Sequence, residues 1–211
     1  MKKMHALFFL TLVGLCSMAF RPVVVPFEGT IRYETSVTGE APKLLNDRLA
    51  KYYDVRFKGT DLKISGGAPL KGQILMKKDL GKLYIIRLDR KNVYELDLKD
   101  ERIPQDSSTP KVTKFKETTT IAGYVCKKFQ IDQGNDLKLI VWTTFSIQEV
   151  DWGTGIFGGQ FKLPSMVEGF PLKFELVSPT FSVTAIATVV KYAPMEAVEF
   201  AFPAGMTVKK L

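Results

Sequence analysis

Gly153, Gly155 and Gly158 spell G-x-G-x-x-G, the string that lets a dinucleotide pyrophosphate approach a helix N-terminus. That chemistry needs a strand before the glycines and a helix after them. Pro164 follows closely and no alternating strand and helix units surround the string, so it predicts a glycine-rich loop from Asp151 to Gln160 over the opening of a curved sheet. Ser108 and Lys111 match S-x-x-K, in which a lysine one helical turn from a serine serves as its base, but Pro110 inside the match argues against a helix. Among the acids, Glu95 and Asp97 share one face of a strand with Lys99, the pattern of a solvated face. Asp132, Asn135 and Asp136 flank Gly134 as turn residues do, and neither group predicts a calcium site or a hydrolase.

The chain holds one histidine, His5, and two cysteines, Cys16 and Cys126. Lys2 and Lys3 precede an apolar run from Ala6 to Phe20, with Ser17 and Ala19 as small residues, the three-part form of a secretory signal cleaved after Ala19. The run is shorter than the roughly 20 residues that span a bilayer, and none like it follows, so the mature chain is expected to lack a transmembrane segment. Leu15 stands before Cys16 where bacterial lipobox sequences carry Gly, Ala or Ser, which argues against acylation. Export places the protein in the periplasm or outside a Gram-negative-type cell.

Removing residues 1–19 leaves 192 residues, 20–211, enough for a single β-rich domain with one core. It also removes His5 and Cys16. Without histidine, Ser-His-Asp and Cys-His catalysis and a zinc site built from His and Cys are excluded, and one thiol permits no internal disulfide. No cofactor and no metal site are expected. Cys126 reads as a small buried hydrophobe. The formal charge falls from +8 to +6 with the loss of Lys2 and Lys3. That suits solubility or anionic lipid headgroups, glycans and acidic partners, whereas lysines scattered among acids do not suit nucleic acid.

Phe27, Gly29, Ile31, Tyr33, Thr35 and Val37 alternate with polar residues, an antiparallel strand with one buried face. From Pro42 to Tyr53 the spacing of Leu44, Leu45, Leu49, Tyr52 and Tyr53 predicts an amphipathic helix. Short strands follow at 54–58, 61–65, 72–78, 82–88 and 92–98, then a polar loop at 100–110, then strands at 111–117, 119–132, 137–144, 171–177, 180–192 and 198–202. Several strands are apolar on both faces, among them Leu83 to Ile86, Leu139 to Trp142 and Ala185 to Val190. A sheet curled around an apolar interior and covered by a helix accounts for this, and so does two-sided burial in a sandwich.

The segments Thr120–Lys128, Val141–Thr144, Glu168–Leu172 and Phe202–Met206, with the opening Phe27–Tyr33, resemble an uncharacterised family of secreted bacterial proteins, numbered 4412 among domains of unknown function. That family resembles, remotely, the LolA and LolB periplasmic lipoprotein carriers. The resemblance implies an incomplete β-barrel whose helices cover an apolar cavity, and a carrier role.

The expected fold is therefore mainly β, a curved antiparallel sheet forming a half-barrel with a covering helix. The leading functional expectation is a non-enzymatic protein holding a lipid or acyl chain. Leu45, Leu49 and Tyr52 would cover the cavity, Tyr84, Ile86 and Trp142 would line it, and Gly153, Gly155 and Gly158 would gate it. A one-residue slip in register would exchange each lining residue for its neighbour. An envelope interaction module with a filled core is the alternative, and a carboxylate hydrolase the third.

Overall fold

The computed structural model describes residues 26–67, 72–98, 111–132, 134, 136–147, 163 and 166–210. The first described element is β1 (Gly29–Gly39); a short helix α1 (Lys43–Arg48) follows, and the chain then meanders through β2 (Tyr52–Lys58), β3 (Asp61–Gly66), β4 (Gly72–Lys77), β5 (Lys82–Arg87) and β6 (Asn92–Asp97). A second run comprises β7 (Lys111–Ile121), β8 (Tyr124–Asp132), β9 (Lys138–Thr144), β10 (Phe170–Val177) and β11 (Phe181–Tyr192), and β12 (Thr207–Lys210) ends it. All twelve join one sheet in the order β12-β6-β5-β4-β3-β2-β1-β11-β10-β9-β8-β7. Every neighbouring pair is antiparallel except β12 with β6.

β1 sits at the seam. One edge pairs with β2, matching Ile31 to Val55 and Tyr33 to Tyr53, and the other pairs with β11 along its whole length from Gly29–Tyr192 to Gly39–Phe181. The two meanders are thus arms of one curled sheet whose outer edges, β7 and β12, do not pair, so it stays an open half-barrel. Register shifts at Arg32/Tyr33, Pro171/Lys173 and Lys114/Thr118 mark where the ladder bends, as bulges do.

The inner face gathers one apolar cluster from both arms, including Ile31 and Tyr33 of β1, Val55 and Phe57 of β2, Ile64 of β3, Ile131 of β8, Val141 of β9, Leu172 and Phe174 of β10 and Ala185 and Ala187 of β11. Phe27, Phe57 and Phe170 form its aromatic joint, with ring centroids 5.5–6.1 Å apart in tilted and edge-on contacts. The connection between β9 and β10 enters and leaves through this cluster, sending in Ile147, Leu163 and Val167.

The opposite face of β4–β6 carries a second cluster, Leu75, Tyr84, Ile86 and Val93, covered by Met195, Phe200, Phe202 and Met206 from the strap after β11. Most of this strap runs outside the ladder, and charged side chains answer its backbone. Glu28 accepts from the Met195 N–H at 2.7 Å, Lys58 donates to the Met195 carbonyl, and Lys63 donates to the Glu199 carbonyl at 2.6 Å.

Three expectations about elements need correction. The helix expected from Pro42 to Tyr53 is only Lys43–Arg48, because Tyr52 and Tyr53 are drawn into β2 opposite Glu34 and Tyr33, and ladder pairing outweighs a helix this short. The strand expected over 119–132 is broken by a turn at Ala122–Gly123, both with positive φ (49° and 86°), which joins β7 to β8 as a tight hairpin. The strand expected at 198–202 is a 3-10 turn, Ala197–Phe200, in the strap.

Phe57 is fully buried between Phe27 and Phe170, while Val198 is 76% exposed. Phe57→Ala should lower unfolding free energy by about 3–5 kcal/mol in urea titration. Val198→Ala should change it by no more than about 0.5 kcal/mol.

Candidate ligand-binding interior

Rows of residues matched across the ladders build the inner face. One runs Ile31, Val55, Ile64, Ile74 and Ile85 across β1 to β5, and another runs Val37, Val183, Leu176, Leu139, Ile131 and Val112 across β1 to β7. β-Branched residues dominate because they pack well on a pleated surface. Ala185 and Ala187 are the small members, set opposite Phe174 and Tyr33, where large rings need the room.

Few polar groups enter this face. The buried Tyr33 hydroxyl donates to the Pro171 carbonyl at 2.8 Å, at the bulge in β10, and burial holds its pKa well above the ordinary tyrosine range. Thr143 donates to the Glu168 carbonyl at 2.6 Å. The Cys126 thiol, fully buried, lies 3.5 Å from the Tyr124 carbonyl and is pushed up to about 11 by desolvation. A thiol so placed is a poor nucleophile at neutral pH. These groups fix the corner where the segments 120–128, 141–144 and 168–172 meet.

The six residues proposed from the sequence as a cavity wall do not form one group. Tyr84 and Ile86 lie on the far side of β5, under the strap, with the Tyr84 ring 4.9 Å from that of Phe202. Their neighbour Leu83 takes the inner side and packs on the main cluster, which is the slip of one residue that strand alternation allows. Trp142 packs against the main cluster while Lys128 holds its ammonium 5.6 Å from the ring. Leu45 and Leu49 are half-buried at the crossing from β1 to β2, and Tyr52 opens β2, partly exposed, with the Arg32 guanidinium 4.7 Å from its ring centre. Gly153, Gly155 and Gly158 lie outside the described residues.

The residues that sequence reasoning missed, Ile31, Val55, Ile64, Ile131, Val141 and Phe174, were all legible as strand positions. Their convergence was not, because it depends on the β1–β11 pairing. The acids take structural partners: Lys82 reaches both Glu95 and Asp97 at 3.3 Å, and Asp136 sits in the β8–β9 turn with φ 59°. Among the described residues no three His, Cys, Asp or Glu side chains converge as metal ligands, and no helix is long and apolar enough to cross a membrane.

An open, curled antiparallel sheet around one apolar interior is the class this architecture defines. Residues 27–206 match the family described as domain of unknown function DUF4412, and the chain belongs to that family. Among solved structures the fold is similar to PNGF-II, with TM-scores of 0.50 and 0.49 in two crystal forms and 14% identity. The match covers 86% of this chain but only 31% of PNGF-II, so the chain spans about a third of that protein. A weaker likeness is to the Mycobacterium tuberculosis lipoprotein LppX, with a TM-score of 0.37 and 9% identity over 79% of this chain and 90% of LppX. No curated protein matches the sequence.

Burial raises the acidic groups Cys126, Tyr33, Tyr53 and Tyr192 above their ordinary values. The unfolded chain therefore releases these protons first, and the stability these groups contribute falls as pH rises through 9 toward 11. The Cys126 share should vanish in Cys126→Ala: chemical denaturation at pH 8 and pH 10.5 should show a smaller loss for the variant than for the wild type. Equal losses would mean that the thiol ionises in the folded chain as it does in the unfolded one.

Proposed function

We propose that this protein is a non-enzymatic binding protein of the bacterial cell envelope that takes a hydrophobic ligand, a lipid or acyl chain, between the two arms of its curled sheet. The observation that supports this most is the single apolar cluster built by both arms of a sheet whose edges remain unpaired. A closed barrel admits a chain only through its mouths. An open sheet can admit one by parting its arms about the seam and the bulges, leaving the ladders intact. An acyl chain laid along that face exchanges side chain for methylene contacts at about 0.8 kcal/mol per buried CH2 relative to water. Export by the leader at residues 1–19 belongs to the same proposal.

A specific observation favours the second reading, an interaction module with a filled core. Ile31, Val55, Phe57, Cys126, Ile131, Val141 and Leu172 all have 0% exposure, so the interior closes on itself in this state. On the carrier reading the ligand enters only when the arms open, and Cys126 reports that opening because it lies within the cluster.

The test uses the chain from Phe20 onward, which carries Cys126 as its only thiol. A fluorescent fatty acid should bind at one per chain and be displaced by palmitate. Free palmitate at about ten times its dissociation constant should slow labelling of Cys126 by a thiol reagent about tenfold, because an occupied interior shields the sulfur. Absence of uptake, together with labelling indifferent to palmitate, would establish the filled core instead.

A further inference from the structure

We propose that the corner of the sheet formed by Val125, Phe145 and Met166 docks on an anionic lipid bilayer, a role that does not depend on a ligand in the interior. These three apolar side chains are 63%, 54% and 52% exposed. Their juxtaposition follows from the ladders. Lys127 pairs with Thr143 at the end of the β8–β9 ladder; Val125 lies two residues before Lys127 on β8 and Phe145 two residues after Thr143, so both flank that last pair. The Lys127 ammonium 5.2 Å from the Phe145 ring centre places both residues on one side of the sheet. Thr143, opposite Lys127, donates to the Glu168 carbonyl at 2.6 Å, which ties the chain two residues after Met166 to this corner.

The charges around the patch suit an anionic surface. Glu168 is already neutralised by Lys114 at 3.0 Å, whereas Lys127, among the described residues, has a ring and not a carboxylate as its partner. The β7 residues Thr118 and Thr120, matched to Lys127 and Val125, add hydroxyls at the margin, and the chain from Phe20 onward, without Lys2 and Lys3, carries +6 of the full +8. Exposed Phe, Val and Met tips beside a lysine whose stem is apolar and whose head is charged are the pairing that sits at a headgroup boundary. Each lysine near an anionic leaflet adds attraction that salt screens.

The experiment is flotation of the chain from Phe20 onward, which keeps every described residue and omits the apolar leader. The vesicles are phosphatidylcholine alone, or equal parts phosphatidylcholine and phosphatidylglycerol. The chain should float with the mixed vesicles, less so as salt is raised, and weakly with phosphatidylcholine. The combined variant Val125→Thr, Phe145→Ser, Met166→Gln should keep the wild-type circular dichroism, since all three positions are exposed, and partition at least about tenfold more weakly. Lys127→Glu, also folded, should weaken binding to the mixed vesicles alone. The proposal is overturned if the wild type floats equally with both vesicles or with neither, or if the combined variant floats as well as the wild type. It is equally overturned if light scattering shows a dimer that the combined variant abolishes while no flotation occurs, because a second copy then covers the corner.

Discussion

Everything in this architecture depends on the pairing of β1 with β11. Among the described residues β1 is the strand that joins the two meanders, and its ladder with β11 links residues more than 140 positions apart, from Gly29–Tyr192 to Gly39–Phe181. Such a contact carries a large loop-closure cost, which its length and burial must offset. The two chains approach so closely that a Cβ at Gly29 would collide with the Lys191 carbonyl, and the backbone there has φ +148°. Phe27, just before the strand, stacks edge-on at 4.7 Å on Tyr192 at the far end of its partner, so the seam is pinned by rings as well as by hydrogen bonds.

Once that seam forms, the two arms share a face, and the apolar cluster follows. The seam also decides what each arm must do with its other side. β3 to β6 hide theirs under the strap, whose backbone is held by Glu28, Lys58 and Lys63, so the C-terminal residues complete one arm. The other arm leaves more exposed. Its edge strand β7 carries Lys111, Lys114 and Lys116, charges that discourage pairing with another chain, and its corner presents the apolar tips of Val125 and Phe145. Binding inside the curl and docking at its corner therefore draw on different residues of the same sheet.

Much of this was legible in the sequence. Period-two alternation located nearly every strand, and Asn, Asp and Gly marked the β8–β9 turn. The motif segments around Gly123, Trp142 and Gly169 pointed to the family that the chain belongs to. Strands apolar on both faces pointed to a curled sheet, but that signal has more than one cause. In Leu83–Ile86 the second face serves the strap, and in Ala185–Ala187 the alanines make room for the rings of Tyr33 and Phe174. Alternation reveals that successive residues face opposite ways but not which way is in, so Tyr84 and Ile86 were assigned to the interior when Leu83 occupies it. The helix was overestimated for a related reason: Tyr52 and Tyr53 fit a helical wheel, yet their partners Glu34 and Tyr33 arrive only with the tertiary fold.

The central claim, that the interior of the curl takes a hydrophobic ligand, is met most directly by native mass spectrometry of the protein exported with its own leader and purified from an envelope fraction. A stoichiometric mass of lipid size that is lost in organic solvent is the predicted result, and fragmentation would identify its class. Bare protein at the mass of residues 20–211, recovered gently enough to preserve known lipid complexes, would contradict the claim and leave the curled sheet as a filled scaffold.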